Sequence, residues 1–253
     1  MTPAPVSISS VSGYVKHVED NCSDGRFLFR GQPVDKPLLP KIARLVVPEN
    51  ALVAERRMLE DFKRQALPFL DHTPASDWEW LAMAQHFGMA TRLLDWTINP
   101  LAALWFAVER PATDKFPGVV WYFEKTDEEL LDVELLADPF GIDKTRVFQP
   151  RHITRRIIAQ SGWFTAHRYL ETKAKKFVAL NNNSRYKSRL SKLVIPPGAF
   201  ADLRRDLDQF GVNASSLYGG LDGVCRHVEW LHSLMADEKP QRKPKSSARQ
   251  AAS

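Results

Sequence analysis

The stretch AQHFGMATRLLDWTINP, residues 84–100, concentrates groups that could do chemistry. Thr91 and Thr97 offer hydroxyls, Arg92 a fixed positive fork and Asp95 a carboxylate, with His86 and the indole of Trp96 beside them. Leu93 and Leu94 would anchor the segment in the core, leaving its polar groups little freedom, as a pre-organised site requires. The same residues also suit a turn knitted by Asp95 accepting from nearby backbone N–H groups or from Arg92. A second cluster is Arg30-Gly31-Gln32 at the end of RFLFRGQ. There a forked donor stands beside backbone that a ligand can approach closely, which suits a phosphate or pyrophosphate. Its plainer reading is an Arg paired with a buried carboxylate. A third is PRHITRRIIAQSGWFTAH, residues 150–167. Arg151, Arg155 and Arg156 could bind phosphate, while Gln160, Ser161 and Thr165 could edge a pocket; alternatively the segment is a solvated basic face with Trp163 and Phe164 in the core.

Other chemistries find no support. The seven histidines show no metal-ligand spacing and the two cysteines are too few for a zinc site, so no metal is expected. Neither a GxSxG motif nor a Cys-His constellation points to a hydrolase. No apolar run approaches the ~18–20 residues that span a bilayer. MTPAPVSISS does not look like a secretory signal, and together with the two thiols this leads to the expectation of a cytoplasmic protein without membrane contact.

The elements that must position these residues follow from periodicity. Residues 8–20 suit an amphipathic helix capped by Ser9 or Ser10. In RFLFRGQ, a strand over 26–32 puts Phe27 and Phe29 on one face and Leu28 and Arg30 on the other, so a buried Arg30 must find an anionic partner. Residues 49–67 form the longest helix candidate, its apolar positions interrupted by Glu55. A helix through 78–87, capped by Ser76 or Asp77, should stop at Gly88. Asn99-Pro100 opens an apolar helix, LAALWFAVE. Strands are predicted at 118–123, 162–167, 176–180 and 189–195, and helices at 198–210 and 221–236. Without a regular βαβ rhythm or a Gly-rich nucleotide loop, the fold class is α+β, one domain with a mixed or antiparallel sheet flanked by helices. The expected organisation is a flexible 1–9, a domain over 10–236 and a disordered basic tail, 237–253.

Charge is unevenly distributed. Residues 1–143 carry 14 basic and 22 acidic side chains, whereas 144–192 carry 13 basic groups against Glu171 alone. The middle third therefore either presents a positive surface to RNA or DNA, aided by the tail, or lies against the acidic first part.

Together, FLFRGQ (27–32), LLPKIAR (38–44), the QHxGxxTRLLDWTxxP pattern within 84–107, RIIAQSGWFTAH (156–167) and FGVNASSLYGGLDGVCRHV (210–228) resemble the FRG domain family, whose Phe-Arg-Gly stands here at Phe29-Arg30-Gly31. That family occurs in bacteria, phages and their defence loci. The aromatic-Arg-Gly strand is in turn similar to that of ADP-ribosyltransferases. The resemblance implies an ADP-ribosyltransferase-like fold and an enzyme or toxin that uses NAD⁺ as substrate on a nucleic-acid or protein acceptor, with an antitoxin as a further partner. It assigns catalysis to Arg30, Asp95, Thr97 and Gln160, and NAD⁺ contacts to Arg30, Gly31, Gln32, His86, Thr91, Arg92 and Trp96, with Trp163 a second stacking candidate. Arg151, Arg155, Arg156, Lys173, Lys175 and Lys176 would meet nucleic acid. The chain departs from the enzymes in lacking Ser-Thr-Ser and a late ExE or QxE, so Gln160, Asp222 or Asp95 would have to substitute. The alternative is a nucleic-acid-binding or ligand-sensing module without catalysis.

Overall fold

The computed structural model describes residues 5–22, 24–113, 116–133, 135–150, 161–171 and 176–239. In chain order these form β1 (Val6–Ser7), α1 (Val11–Asn21), β2 (Phe27–Gln32), α2 (Ala51–Ala66), α3 (Asp77–His86), β3 (Leu93–Thr97), α4 (Pro100–Val108), β4 (Gly118–Glu124), β5 (Arg146–Phe148), β6 (Gly162–Ala166), β7 (Tyr169–Leu170), β8 (Lys176–Phe177), β9 (Ser191–Ile195), α5 (Phe200–Gln209), α6 (Ala214–Tyr218) and α7 (Leu221–Leu231). The fold is α+β. A seven-stranded sheet runs β1-β9-β4-β2-β3-β6-β5, antiparallel except at its β1–β9 edge, while β7 and β8 pair by themselves.

The cap chemistry acts where it was anticipated. Ser10 Oγ accepts from Gly13 N–H, Ser76 accepts from Glu79 N–H, and Asn99 accepts from the N–H groups of Leu101 and Ala102 with Pro100 in the first turn. Gly88 follows α3 with φ of +88°, a conformation that stops the helix at little cost only for glycine. Each sheet face is buried. Phe29, Val120, Tyr122, Leu193 and Ile195 pack with α1, α4 and α5; on the opposite face Leu28, Leu94, Trp96 and Phe123 pack with Leu38, Leu180 and Tyr186.

Three expectations are corrected. Residues 93–97, anticipated as a core-anchored irregular segment or a knitted turn, are a strand: LLDWT pairs along its whole length with β6, from Leu93 opposite Ala166 to Thr97 opposite Gly162. The segment 1–9 is not wholly flexible, since Val6 and Ser7 pair with Leu193 and Val194 and Ile8 is buried. At the other end Asp237 and Glu238 belong to the folded body. Both bind the buried Arg204, whose Nη1 also donates to the carbonyls of Val108 and Arg110 and so secures the end of α4. The rest of the tail from 240 lies outside the described residues. No described helix is long and apolar enough to cross a membrane.

Gly31 acquires a specific reason. A Cβ built there would stand 1.9 Å from the carbonyl oxygen of Ala103 and 2.7 Å from the backbone nitrogen of Ala107. What requires a glycine here is thus helix α4, lying directly on β2.

Candidate functional site

The sheet parts at its centre. β2 pairs with β4 along all six residues from Phe27 to Gln32, yet meets β3 at a single bridge, Phe29 opposite Thr97. Beyond that bridge the strands diverge, and the Arg30 side chain is placed at the opening. Its Nη1 donates to the Asp95 carbonyl oxygen at 2.7 Å and lies 3.6 Å from Asp95 Oδ2, while its Nε is buried with no hydrogen-bond partner. Burial lowers the Arg30 pKa from its ordinary value and the Asp95 carboxylate opposes that shift; the guanidinium stays charged.

Asp95 is set by a relay from α3. Leu93 N–H donates to Thr91 Oγ1, the Thr91 hydroxyl donates to Gln85 Oε1 at 2.7 Å, and Gln85 Nε2 donates to Asp95 Oδ2 at 3.1 Å. The relay fixes which way the Gln85 amide faces. The four residues Gln85, Thr91, Asp95 and Arg30 therefore act as one positioning unit.

The opening is a cleft of about 340 Å³, in the size range of ligand pockets. Arg30, Gly31, His86, Asp95, Trp96, Thr97 and Trp163 line it, and so do Phe106, Glu109, Arg110 and Tyr218. Glu109 is the acid that sequence reasoning missed. It stands at the C-cap of α4, 16% exposed, and accepts from the Tyr218 hydroxyl at 2.8 Å. Its signal was an acid ending an apolar helix, LAALWFAVE; what delivers it to the cleft is the seating of α4 on Gly31, a contact that no local pattern encodes.

Other assigned residues are not available to a ligand. Arg92 is fully buried: its Nε and Nη2 donate to Glu55 Oε2 at 3.0 and 2.8 Å, its Nη1 donates to the Pro139 carbonyl, and its own N–H donates to Glu55 Oε1 at 2.6 Å. Thr91 is fully buried within the relay. Trp96 is 3% exposed, its ring edge-on to Phe123 and its indole N–H spent on Thr165, so it cannot stack on a bound ring. Trp163 is half-buried and lines the cleft, with Lys125 Nζ 5.1 Å from its ring centroid on one side. Gln32 is buried away from the cleft lining, and Thr97 reaches the cleft but its Oγ1 accepts from Asn99 N–H. Asp222, on the first turn of α7, does not line the cleft. Gln160, Arg151, Arg155, Arg156, Lys173 and Lys175 lie outside the described residues, and Lys176 is exposed on β8. Among the described residues no three His, Cys, Asp or Glu side chains are grouped to hold a metal ion.

Beneath the cleft runs a buried polar chain. Trp96 Nε1 donates to Thr165 Oγ1 at 3.1 Å, Thr165 Oγ1 lies 3.3 Å from His167 Nε2, and His167 Nδ1 lies 3.2 Å from the Val178 carbonyl oxygen. The carbonyl can only accept, so Nδ1 carries the proton and Nε2 accepts from Thr165. Burial lowers the His167 pKa to about 4, with Arg30 and Arg92 pushing the same way and the Val178 carbonyl opposing. Above pH ~6.5 the imidazole is neutral folded or unfolded; between ~6.5 and about 4 the unfolded chain alone takes up the proton. Stability is therefore present above that window and falls as pH drops through it, by about 3 kcal/mol in all. Urea denaturation at stepped pH should show this loss, and His167→Gln should flatten the profile across the window.

The fold and site thus define an α+β domain whose central sheet opens onto a cleft built around Arg30. Residues 25–115, from the start of β2 through α4, match the family model of the FRG domain. The match covers fewer than half of the residues; the segments 156–167 and 210–228 lie beyond it. No curated protein matches the chain, and no solved structure does.

Proposed function

We propose that the cleft binds NAD⁺ and transfers its ADP-ribose, as the aromatic-Arg-Gly strand suggests by its likeness to ADP-ribosyltransferases. One observation carries the reading: a single cavity joins the part-exposed side chain of Arg30, a forked cation, to two carboxylates, Asp95 and Glu109, beside the half-buried ring of Trp163. The Arg30 guanidinium suits a pyrophosphate oxygen, for which a forked cation is the preferred partner. Trp163 offers a face for a base. When the glycosidic bond breaks, its electron pair leaves with nicotinamide and positive charge develops on the ribose. Carboxylates fixed beforehand, Glu109 by Tyr218 and Asp95 by Gln85, stabilise that charge without reorganising. The acceptor nucleophile then bonds to the anomeric carbon and gives its proton to a carboxylate.

Titration calorimetry with NAD⁺, alongside turnover of labelled NAD⁺ with RNA, DNA and protein acceptors, tests this. Arg30→Ala should weaken NAD⁺ binding by about 10- to 100-fold, the loss of one or two charge-assisted hydrogen bonds. Glu109→Gln should keep binding and lose turnover. A wild-type protein that neither binds nor consumes NAD⁺ would sink the reading.

A further inference from the structure

The basic third of the chain separates into two populations. Some of its cations are spent inside the molecule. Arg146 pairs with Asp143, Arg189 with Glu129 and Lys192 with Asp35. To that extent the basic segment does lie against the acidic one. Lys144, Arg168 and Arg185 form no ion pair among the described residues, and they converge on one cavity of about 400 Å³. Burial pushes the pKa of the rim acid, Asp143, upward, but its ion pair with Arg146 and the nearby charge of Lys144 hold it below its ordinary value. Asn182, Asn183 and Ser184 add amides and a hydroxyl to the rim, and Leu170 and Val178 complete the wall. Cations gathered around neutral donors are what a phosphate oxygen needs.

The cavity wall is built rather than incidental. Thr145 is buried, and its Oγ1 accepts from the backbone N–H of Arg168 and from Asn183 Nδ2, both at 3.5 Å. Its carbonyl accepts from the fully buried Tyr186 hydroxyl at 3.2 Å. Asn183 Oδ1 accepts from Arg185 N–H at 3.1 Å. The backbones that carry Lys144, Arg168 and Arg185 are thus tied to one another through Thr145, Asn183 and Tyr186. The site is also separate from the cleft: Arg168 and Leu170 follow the Ala166 end of β6, while the cleft takes in its Gly162 end.

We propose that this cavity binds consecutive phosphates of a single nucleic-acid strand through Lys144, Arg168 and Arg185. Fluorescence anisotropy of a labelled 12-nucleotide DNA or RNA strand, titrated at several salt concentrations, tests it. The triple variant Lys144→Gln/Arg168→Gln/Arg185→Gln should weaken binding by about 10- to 100-fold and reduce the slope of log K against log salt by about 2, near 0.7 per lost phosphate contact. Its melting temperature should be unchanged, because none of the three makes an ion pair among the described residues. A control with equal charge change, Arg57→Gln/Arg64→Gln/Arg205→Gln, should bind as the wild type does. Equal losses in both triples would reduce the effect to net charge and overturn the site, as would absence of strand binding. Pyrophosphate bound at the cavity without any strand bound would overturn the nucleic-acid assignment. Because Arg30 and Glu109 are untouched, NAD⁺ binding by the triple variant reports on the cleft separately.

Discussion

Arg92→Met should be among the most destabilising single substitutions in this protein, costing about 3–5 kcal/mol in urea denaturation. Arg92 and Glu55 are both fully buried, and four hydrogen-bond donors of Arg92 are satisfied, three of them by Glu55. Removing the arginine leaves a carboxylate in the core with its counter-ion gone, and breaking a buried pair costs that much because the surviving charge is uncompensated. Two companion measurements identify the cause. Burial already raises the Glu55 pKa and Arg92 opposes that shift, so without Arg92 the carboxyl should take up its proton more readily. The variant's deficit relative to wild type should then shrink as pH falls. Glu55→Leu/Arg92→Met, which removes both charges, should be more stable than Arg92→Met alone. A cost under about 1 kcal/mol for Arg92→Met would mean that water reaches Glu55, and the pair would not be the structural anchor described.

That pair shows what the sequence disclosed and what it hid. Arg92 sits in the segment that drew attention as a site, and Glu55 stood out as a flaw in the apolar stripe of α2. Each looked anomalous alone; together they are one buried ion pair, joined across 37 positions that no periodicity links. Local signals fared better because their physics is local. The caps at Ser10, Ser76 and Asn99 and the stop at Gly88 rest on bonds spanning two or three residues, or on one dihedral. The alternating faces of RFLFRGQ placed Arg30 correctly because a strand's period is two. LLDWT was hidden as a strand for the converse reason: it is five residues long and follows helix-stop signals closely, so only its partner β6 identifies it. Glu109 likewise becomes visible as part of the cleft only when α4 is laid on β2. The signature residues therefore divide by burial. Arg30 and Asp95 face the opening, Gln85 and Thr91 hold them, and Arg92 belongs to the core.

Gly31→Ala should be the second severe lesion, and it should damage site and fold together. The added methyl would stand 1.9 Å from Ala103 O and 2.7 Å from Ala107 N, both backbone atoms of α4. Side-chain rotation cannot relieve a contact with backbone, so the helix itself must lift by more than ~1 Å or β2 must bend away. Overpacking in cores costs about 1–3 kcal/mol and more where nothing can yield, and this position should reach about 3 kcal/mol or above. Gly118→Ala offers a graded comparison. Its Cβ would meet Ala107 O and the Phe200 ring at 2.9 Å, a looser contact in which the ring can shift, so its cost should be smaller. Adding Ala103→Gly to Gly31→Ala should give no rescue, because the collision is with a carbonyl and not with the Ala103 methyl; rescue would refute the geometry. The displaced helix carries Glu109 with it, since Glu109 follows α4 directly and Arg204 holds the neighbouring carbonyls. NAD⁺ binding by Gly31→Ala at a temperature where it remains folded should therefore weaken even though no ligand-facing side chain has changed. Binding equal to wild type in that folded state would separate α4 from the cleft, and the glycine would then serve the fold alone.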